Sequence, residues 1–358
     1  MSIYLFVIDG LGMWNSEKKS TFHLLDEKCS FNDNDLSFLY KIGLKSAIDG
    51  NGNLLIPKSN VAGSLEGHRE MMGYISTNQY DICQGFISDN IIKKIYLKTK
   101  IRCIGNIQGR GSFIIPQYAN SLVSSSVILY FGYDSTACIA FKEEDFFIDD
   151  IVDMANVLME ELYKSNIKIR KIIIRQYNNS FSSVKFRKEV FLKVKFDNVL
   201  EVLGFSKIVV NNKIQDILGL NCAEIRQCNT DKDCYEILFE ENDDGFYFFN
   251  FPDFDSFAHQ GDFPMCAQAI KTFNLFIESF WKNLKNNDYI IITSDHGVKI
   301  EKSDLSNTHV LENVLLLCLD KFGYYYFDGM QEGMNQIYKI IQNIKDGKNF
   351  STSYNKLY

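Results

Sequence analysis

"IYLFVIDG" occupies Ile3–Gly10. Six apolar residues, rich in β-branched and aromatic side chains, run straight into Asp9-Gly10. A run without polar alternation predicts a strand buried on both faces, the kind found in parallel sheets. Asp-Gly predicts a turn at its end. The pattern recurs downstream: Lys207–Val210 leads into "NNK", Phe246–Phe251 into "PDFDSFAH" and Tyr289–Ile292 into "TSDHG", with a further apolar run at Val314–Leu319. Longer amphipathic stretches such as Met265–Leu284 separate these runs. Strands alternating with helices predict an α/β fold with an open, mostly parallel sheet and helices on both faces.

The middle of the chain reads differently. Ser124–Phe131, Thr136–Phe141, Lys171–Tyr177 and Val190–Phe196 have strand character, and Glu144–Ser165 has helical spacing. This block predicts a small α+β unit of its own. Residues 1–94 and 200–358 are expected to form the core, with 95–199 as an inserted, substrate-binding cap domain. Gln331–Ile344 has the spacing of a closing helix.

Composition narrows the classes of function. Hydrophobic residues make up 46% of the 358 and charged residues 23%, the balance of a soluble globular protein. A net charge of −7 argues against nucleic acid as a partner. The nine cysteines include no CxxC pair, and Cys222, Cys228 and Cys234 recur at an interval that fits no zinc finger. They read as reduced packing thiols. No run approaches the ~20 apolar residues of a membrane span, and the apolar start is too short for a signal peptide. The expectation is a cytoplasmic protein without membrane contact, a monomer or small homo-oligomer.

In an open α/β sheet, ligands bind at the carboxyl ends of the strands. Three of the runs above end in chemistry: Asp9 after the first, Asp255 and His259 after another, Asp295-His296 after a third, with His309 further on. Taken singly, each has a plain structural reading as a turn or capping residue. Jointly they supply three carboxylates and three imidazoles, a set suited to Mn²⁺, Zn²⁺ or Fe²⁺ rather than Ca²⁺. Six groups are too many for one ion and fit two, the arrangement that clamps both oxygens of an in-line phosphoryl transfer. "GSLEGHREMMG" (Gly63–Gly73) then offers Ser64 on a glycine-flanked turn. A serine hydroxyl needs activation to act as a nucleophile, and a divalent ion supplies it.

In order along the chain, "VIDGLG", "SLEGH", "DSFAH", "SDHG" and "THV" resemble the motifs of the alkaline-phosphatase-like metalloenzymes, which include the phosphopentomutases and the cofactor-independent phosphoglycerate mutases. "GHREMMG", "GNIQGRGSFII", "VILYFGYDSTACIAFKEE", "KIIIRQY" and "NNKIQDIL" are similar to phosphopentomutase segments, so the resemblance covers nearly the whole chain. It implies one ion at Asp255, His259 and His309 and a second at Asp9, Asp295 and His296, touched by Ser64 as the phosphorylated residue. It also implies that Lys213 holds the phosphoryl group, and that Arg175, Arg187, Asp134 and Ser135 bind substrate. Mn²⁺ is the leading metal, with Zn²⁺ or Mg²⁺ as alternatives and a sugar bisphosphate as activator. The implied activity is isomerisation of a sugar phosphate, ribose or deoxyribose 1-phosphate to 5-phosphate. A phosphatase or a mutase on another sugar phosphate would use the same site, and a non-catalytic phospholigand-binding homologue is the remaining alternative. The chain departs from the phosphopentomutase pattern at Ser64, where that family has Thr, at Arg69, where it has Trp, and at His259–Asp262, where it is more basic. Arg69 is the first place to expect a changed substrate.

Overall fold

The structure is a computed structural model. It describes residues 1–14, 19–75, 86–119, 125–132, 135–177, 184–190, 200, 203–220, 222–299 and 309–357, with backbone alone at 112 and 184–189. The chain divides into two compact units, Met1–Thr77 with Lys195–Tyr358, and Asn78–Val194.

The first unit is built on the sheet that Ile3–Ile8 predicts. Its strands run in the order Glu224–Arg226, Ile208–Asn211, Phe246–Phe251, Ile3–Ile8, Tyr289–Thr293, Asn313–Asp320, Gly323–Tyr326, Ser353–Lys356. The first five are parallel; the last three continue the sheet antiparallel. The strand Ile3–Ile8 sits between Phe246–Phe251 and Tyr289–Thr293, in register from Ile3 onwards with both. Every residue of Ile3–Ile8 and Phe246–Phe251 is buried because both faces are covered. On one face Tyr4, Phe6, Tyr247, Phe249 and Phe251 pack into a core shared with Phe273, Phe276, Ile277 and Phe280 of the helix Phe263–Lys282. Full burial of each such ring contributes about 2 kcal/mol relative to exposure. Asp262 caps that helix by accepting from Met265 N, and Pro264 stands in its first turn, where a missing N–H costs nothing. On the opposite face the His68 ring stacks on Phe248 at 5.8 Å, which seats the helix Ser64–Met71 against the sheet.

The second unit is a five-stranded mixed sheet in the order Arg102–Gln108, Ser126–Phe131, Thr136–Lys142, Lys171–Tyr177, Val184–Val190. The helix Ile148–Lys164 covers one face through Ile151, Met154, Leu158 and Leu162, and the helix Gly111–Ala119 covers the other through Ile114 and Ile115. The helix Asp89–Thr99 belongs to this unit. Its Ile91 and Ile95 join the core of Ile148–Lys164, so the unit begins well before residue 95.

Several elements differ from the sequence reading. The last strand of the second sheet is Val184–Val190, ahead of the expected Val190–Phe196; residues 191–199 lie outside the described ones. Gln331–Ile344 divides into the short strand Met330–Glu332 and the helix Gln336–Asp346, because Gly333 takes a left-handed φ of 87° between them. Short strands at Gly12–Trp14 and Leu54–Ile56 pair with Asn313–Asp320; at three residues each they are too brief for a visible period. No helix among the described residues is long and apolar enough to cross a membrane. The described cysteines form no disulfide.

Candidate metal centre

Because Ile3–Ile8 lies between Phe246–Phe251 and Tyr289–Thr293, the three chemistry-bearing strand ends are adjacent although Asp9 and Asp295 are far apart in sequence. Asp9 follows the first strand directly. Asp255 and His259 lie on the helix Asp253–Gln260, which starts after Phe251-Pro252. Asp295-His296 follow Thr293 and Ser294. His309 arrives on a two-residue strand paired with Gly297-Val298, which brings it beside the Asp-His turn.

The resulting distances are short. Asp255 Oδ2 is 3.3 Å from His259 Nε2, and its Oδ1 is 3.7 Å from His309 Nε2. The two Nε2 atoms of His259 and His309 face each other at 3.0 Å. His296 Nε2 is 3.4 Å from Asp9 Oδ1 and 3.4 Å from Asp295 Oδ2, and its ring stacks on His309 at 3.9 Å. Asp255, His259 and His309 offer ligand atoms within 4.8 Å of one another, as do Asp9, Asp255 and His296. Asp255 thus stands in both groups. Asp295 borders the second group with one oxygen, its other accepting from Gly10 N at 3.0 Å.

Ser64 joins this cluster. It is the first residue of the helix Ser64–Met71, after Gly63 at φ 151°. Its Oγ is 3.3 Å from Asp9 Oδ1 and 3.2 Å from His296 Nε2. Lys213, on the helix Asn212–Leu218 that follows Ile208–Asn211, pairs with Asp9 Oδ2. Two glycines make the approach possible. A Cβ on Gly67 would lie 2.3 Å from Asp295 O, and one on Gly10, at φ 79°, would lie 2.7 Å from Val298 Cγ2 and 3.0 Å from Asp255 Oδ1.

Charge in the cluster is unevenly held. Burial would push the Asp9 carboxyl up, but Lys213 and His296 outweigh it and hold the group well below the usual range. Burial, with Asp9 beside it, pushes Asp295 up to about 7. Burial opposes a charge on His296, yet Asp295 and Asp9 raise it to about 9. Burial holds His68 down at about 4, so its imidazole is neutral at pH 7. The donor set fits a divalent ion. Three carboxylates and three imidazoles converge, and Asp255 Oδ1 and Asp295 Oδ2 are buried without a hydrogen-bond partner among the described residues. Buried carboxylate oxygens of that kind are costly unless paired or bound to metal.

The second unit holds the remaining sequence candidates. Arg175 lies in Lys171–Tyr177 beside Tyr130, which it helps to counter against burial. Its backbone pairs with Arg187, whose side chain is outside the described atoms. Ser135 is buried at φ 61°, and its carbonyl accepts from Arg170 N at 2.8 Å. Asp134 lies outside the described residues.

Other residues at the site escaped the sequence reading. His68 is fully buried, with Nδ1 2.7 Å from Ser64 O and 3.5 Å from Asp295 Oδ2. Glu70 accepts from Lys58 N, Ser59 N and Met334 N at 2.8–3.1 Å and so anchors the Ser64 helix. Glu312 accepts from Thr21 N and Oγ1, and Thr21 in turn bonds Val298 at N and O. Asn250 donates to Asp9 Oδ2 at 3.0 Å. Its signal was legible: one polar residue in an otherwise aromatic strand, just before the acidic segment. Arg69 is placed differently from the expectation of a substrate-facing residue. It is buried, and its Nη2 donates to Ile217 O at 3.3 Å, at the end of the Lys213 helix.

Comparison with known proteins gives the family. The family model of the Metalloenzyme superfamily matches residues 1–341, and the chain belongs to that superfamily. The phosphopentomutase of Pseudothermotoga lettingae is 25% identical over 304 residues, 81% of this chain and 78% of the relative. That of Thermotoga petrophila is 26% identical over 275 residues, 74% and 70% of the two chains. A solved structure of a Pyrococcus horikoshii protein aligns over 97% of this chain and 98% of its own, at 13% identity and a TM-score of 0.47.

Proposed function

We propose that the chain is a phosphosugar mutase that works through a phosphorylated Ser64, with ribose or deoxyribose 1-phosphate and 5-phosphate as the substrate pair. The observation that carries this reading is the position of Ser64 Oγ, within 3.3 Å of both an ionised carboxylate and an imidazole at a helix N-terminus. The phosphopentomutase relatives support the choice of sugar.

Asp255, His259 and His309 would hold one divalent ion, Asp9, Asp295 and His296 a second, with Ser64 beside it. Mn²⁺ is the first choice for this mixed set, and Zn²⁺ or Mg²⁺ the alternatives. Such ions, when bound, neutralise charge on the transferring phosphoryl group and lower the cost of ionising a nearby hydroxyl.

The chain's own groups supply the rest. Phospho-Ser64 gives its phosphoryl group to a sugar hydroxyl: the bond from phosphorus to Ser64 Oγ breaks, the bond to the sugar oxygen forms, and the hydroxyl proton ends on Ser64 Oγ. The sugar bisphosphate so formed returns its other phosphoryl group to Ser64, whose proton goes to the departing sugar oxygen. Lys213 neutralises phosphoryl charge from the Asp9 side, and the backbone N–H groups at the start of Ser64–Met71 face the same anion. Arg175 and Arg187 would meet the second phosphate, with Ser135 and Asp134 near the sugar, and residues 78–194 would act as the cap that keeps water from phospho-Ser64. Water as acceptor would make the same site a phosphatase. We place the protein in the cytoplasm, where sugar phosphates are found.

The test is ³¹P NMR of Mn²⁺-supplemented enzyme with a panel of sugar 1-phosphates and catalytic sugar bisphosphate. The expected result is conversion of the 1-phosphate resonance to a 5-phosphate resonance. Release of inorganic phosphate without isomerisation would establish the hydrolase instead.

A further inference from the structure

The strand Phe246–Phe251 reads "FYFFNF", and all six residues are buried. Its one polar member, Asn250, is fully buried, and its Oδ1 has no hydrogen-bond partner among the described residues. A buried amide oxygen without a partner lowers stability. An aliphatic residue of the same size would serve a purely structural strand better, so the retained amide points to work done by its donor side. That donor, Nδ2, bonds Asp9 Oδ2 at 3.0 Å. The other donor on Asp9 Oδ2 is Lys213. Asp9 Oδ1 instead faces Ser64 Oγ at 3.3 Å and His296 Nε2 at 3.4 Å. The carboxylate is therefore divided, one oxygen held by the protein and the other turned to the reacting side.

We propose that Asn250 is a positioning residue for the ion that Asp9, Asp295 and His296 would hold: its side-chain amide occupies Asp9 Oδ2 from the sheet side and so presents Oδ1 to the ion. The inference rests on the reading of Asp9 as an ion ligand. Lys213 is on a flexible stem and, in the proposed reaction, turns to the phosphoryl group. Asn250, locked in a strand, is the donor that stays. A fixed donor on the outer oxygen of a ligand carboxylate keeps that ligand from swinging, an effect of such partners on metal affinity that is roughly 10- to 100-fold. The backbone does a separate job. Asn250 O accepts from Asn211 Nδ2 at 2.7 Å, and Asn211 Oδ1 caps the Lys213 helix at Ile214 N. A side-chain substitution at Asn250 leaves that link to Lys213 in place and isolates the amide.

The experiment is calorimetric titration of the full chain with Mn²⁺, wild type beside Asn250→Leu, with Asp295→Asn to mark the second site and His259→Ala the first. Wild type is expected to bind two ions. Asn250→Leu is expected to weaken the site that Asp295→Asn also weakens by roughly 10- to 100-fold, leaving the site marked by His259→Ala unchanged. Unchanged affinity at both sites, or an equal fall at both, would overturn the positioning role. Should the leucine variant not fold, Asn250→Ser, small and polar but too short to reach Asp9, is read by the same two outcomes. A wild type that binds fewer than two ions overturns the two-ion reading itself, and this inference with it, whereas two ions with an indifferent Asn250→Leu overturn only the inference.

Discussion

Ser64 Oγ has two neighbours at hydrogen-bond range, Asp9 Oδ1 and His296 Nε2, and in the proposed function it is the group that carries the phosphoryl. Ser64→Ala is expected to leave the fold intact and to lower turnover by roughly 10³-fold or more, the scale of a lost nucleophile. Intact-mass analysis after incubation with sugar bisphosphate should then lack the phosphorylated form that wild type gives; a phosphorylated Ser64→Ala would refute Ser64 as the carrier. A second residue tests burial rather than chemistry. Asp231 is buried, accepts from Asp253 N at 3.0 Å, and is pushed by burial and by Asp253 from 3.8 to about 8. Its folded form keeps a proton that the unfolded chain releases, so its contribution is full below about pH 4 and lost as pH rises towards 8. Urea unfolding of wild type and Asp231→Asn should show the difference, wild type minus variant, falling across that window; a flat difference contradicts the raised value. Asp9, Asp255, His259, Asp295 and His296 were legible as residue types because each comes shortly after an apolar run; His309, behind Ser306-Asn307-Thr308, follows none. Arg69 was not legible, since nothing in "GHREMMG" tells a guanidinium on a helix end from one facing substrate. The bond to Ile217 O depends on a helix about 150 positions away.

At the scale of elements, the helix Ser64–Met71 is held by its far end. Glu70 is fully buried and accepts three backbone N–H groups, those of Lys58, Ser59 and Met334. Glu70→Ala would leave these donors buried without a partner, at about 2–4 kcal/mol of stability. Ser64 would lose its fixed place, so the rate of Ser64 phosphorylation should fall together with the urea midpoint. A variant equal to wild type in both measurements would show that the anchor is dispensable. The long elements, Ile3–Ile8, Phe246–Phe251 and Phe263–Lys282, were legible because burial on both faces or on one stripe writes a period into the sequence. The strand pair Gly297-Val298 with His309-Val310 was not. Two residues carry no period; Thr21, which bonds both Val298 and Glu312, flanks the pair from a distant part of the sequence.

At the scale of the whole molecule, the centre draws on four parallel strand ends and on Ser64 and His309 from outside them, all in the first unit. Cation binding should therefore stabilise that unit as a body. One independent site at 100 times its Kd adds about 2.7 kcal/mol, so saturating Mn²⁺ should raise the melting temperature and a chelator should reverse the rise. Equal melting temperatures with Mn²⁺ and with chelator would count against a structural ion centre. The sequence by itself determined the α/β class, the sheet-forming runs and the inventory of candidate ligands, because these follow from local burial patterns and residue chemistry. Tertiary structure alone decided which strand lies between which. By placing Ile3–Ile8 between Phe246–Phe251 and Tyr289–Thr293, it brought Asp9, Asp255 and Asp295 to one edge, put Asn250 behind Asp9, and turned Arg69 inward. Those outcomes depend on side-by-side strand order and on packing between distant segments, which no local pattern encodes.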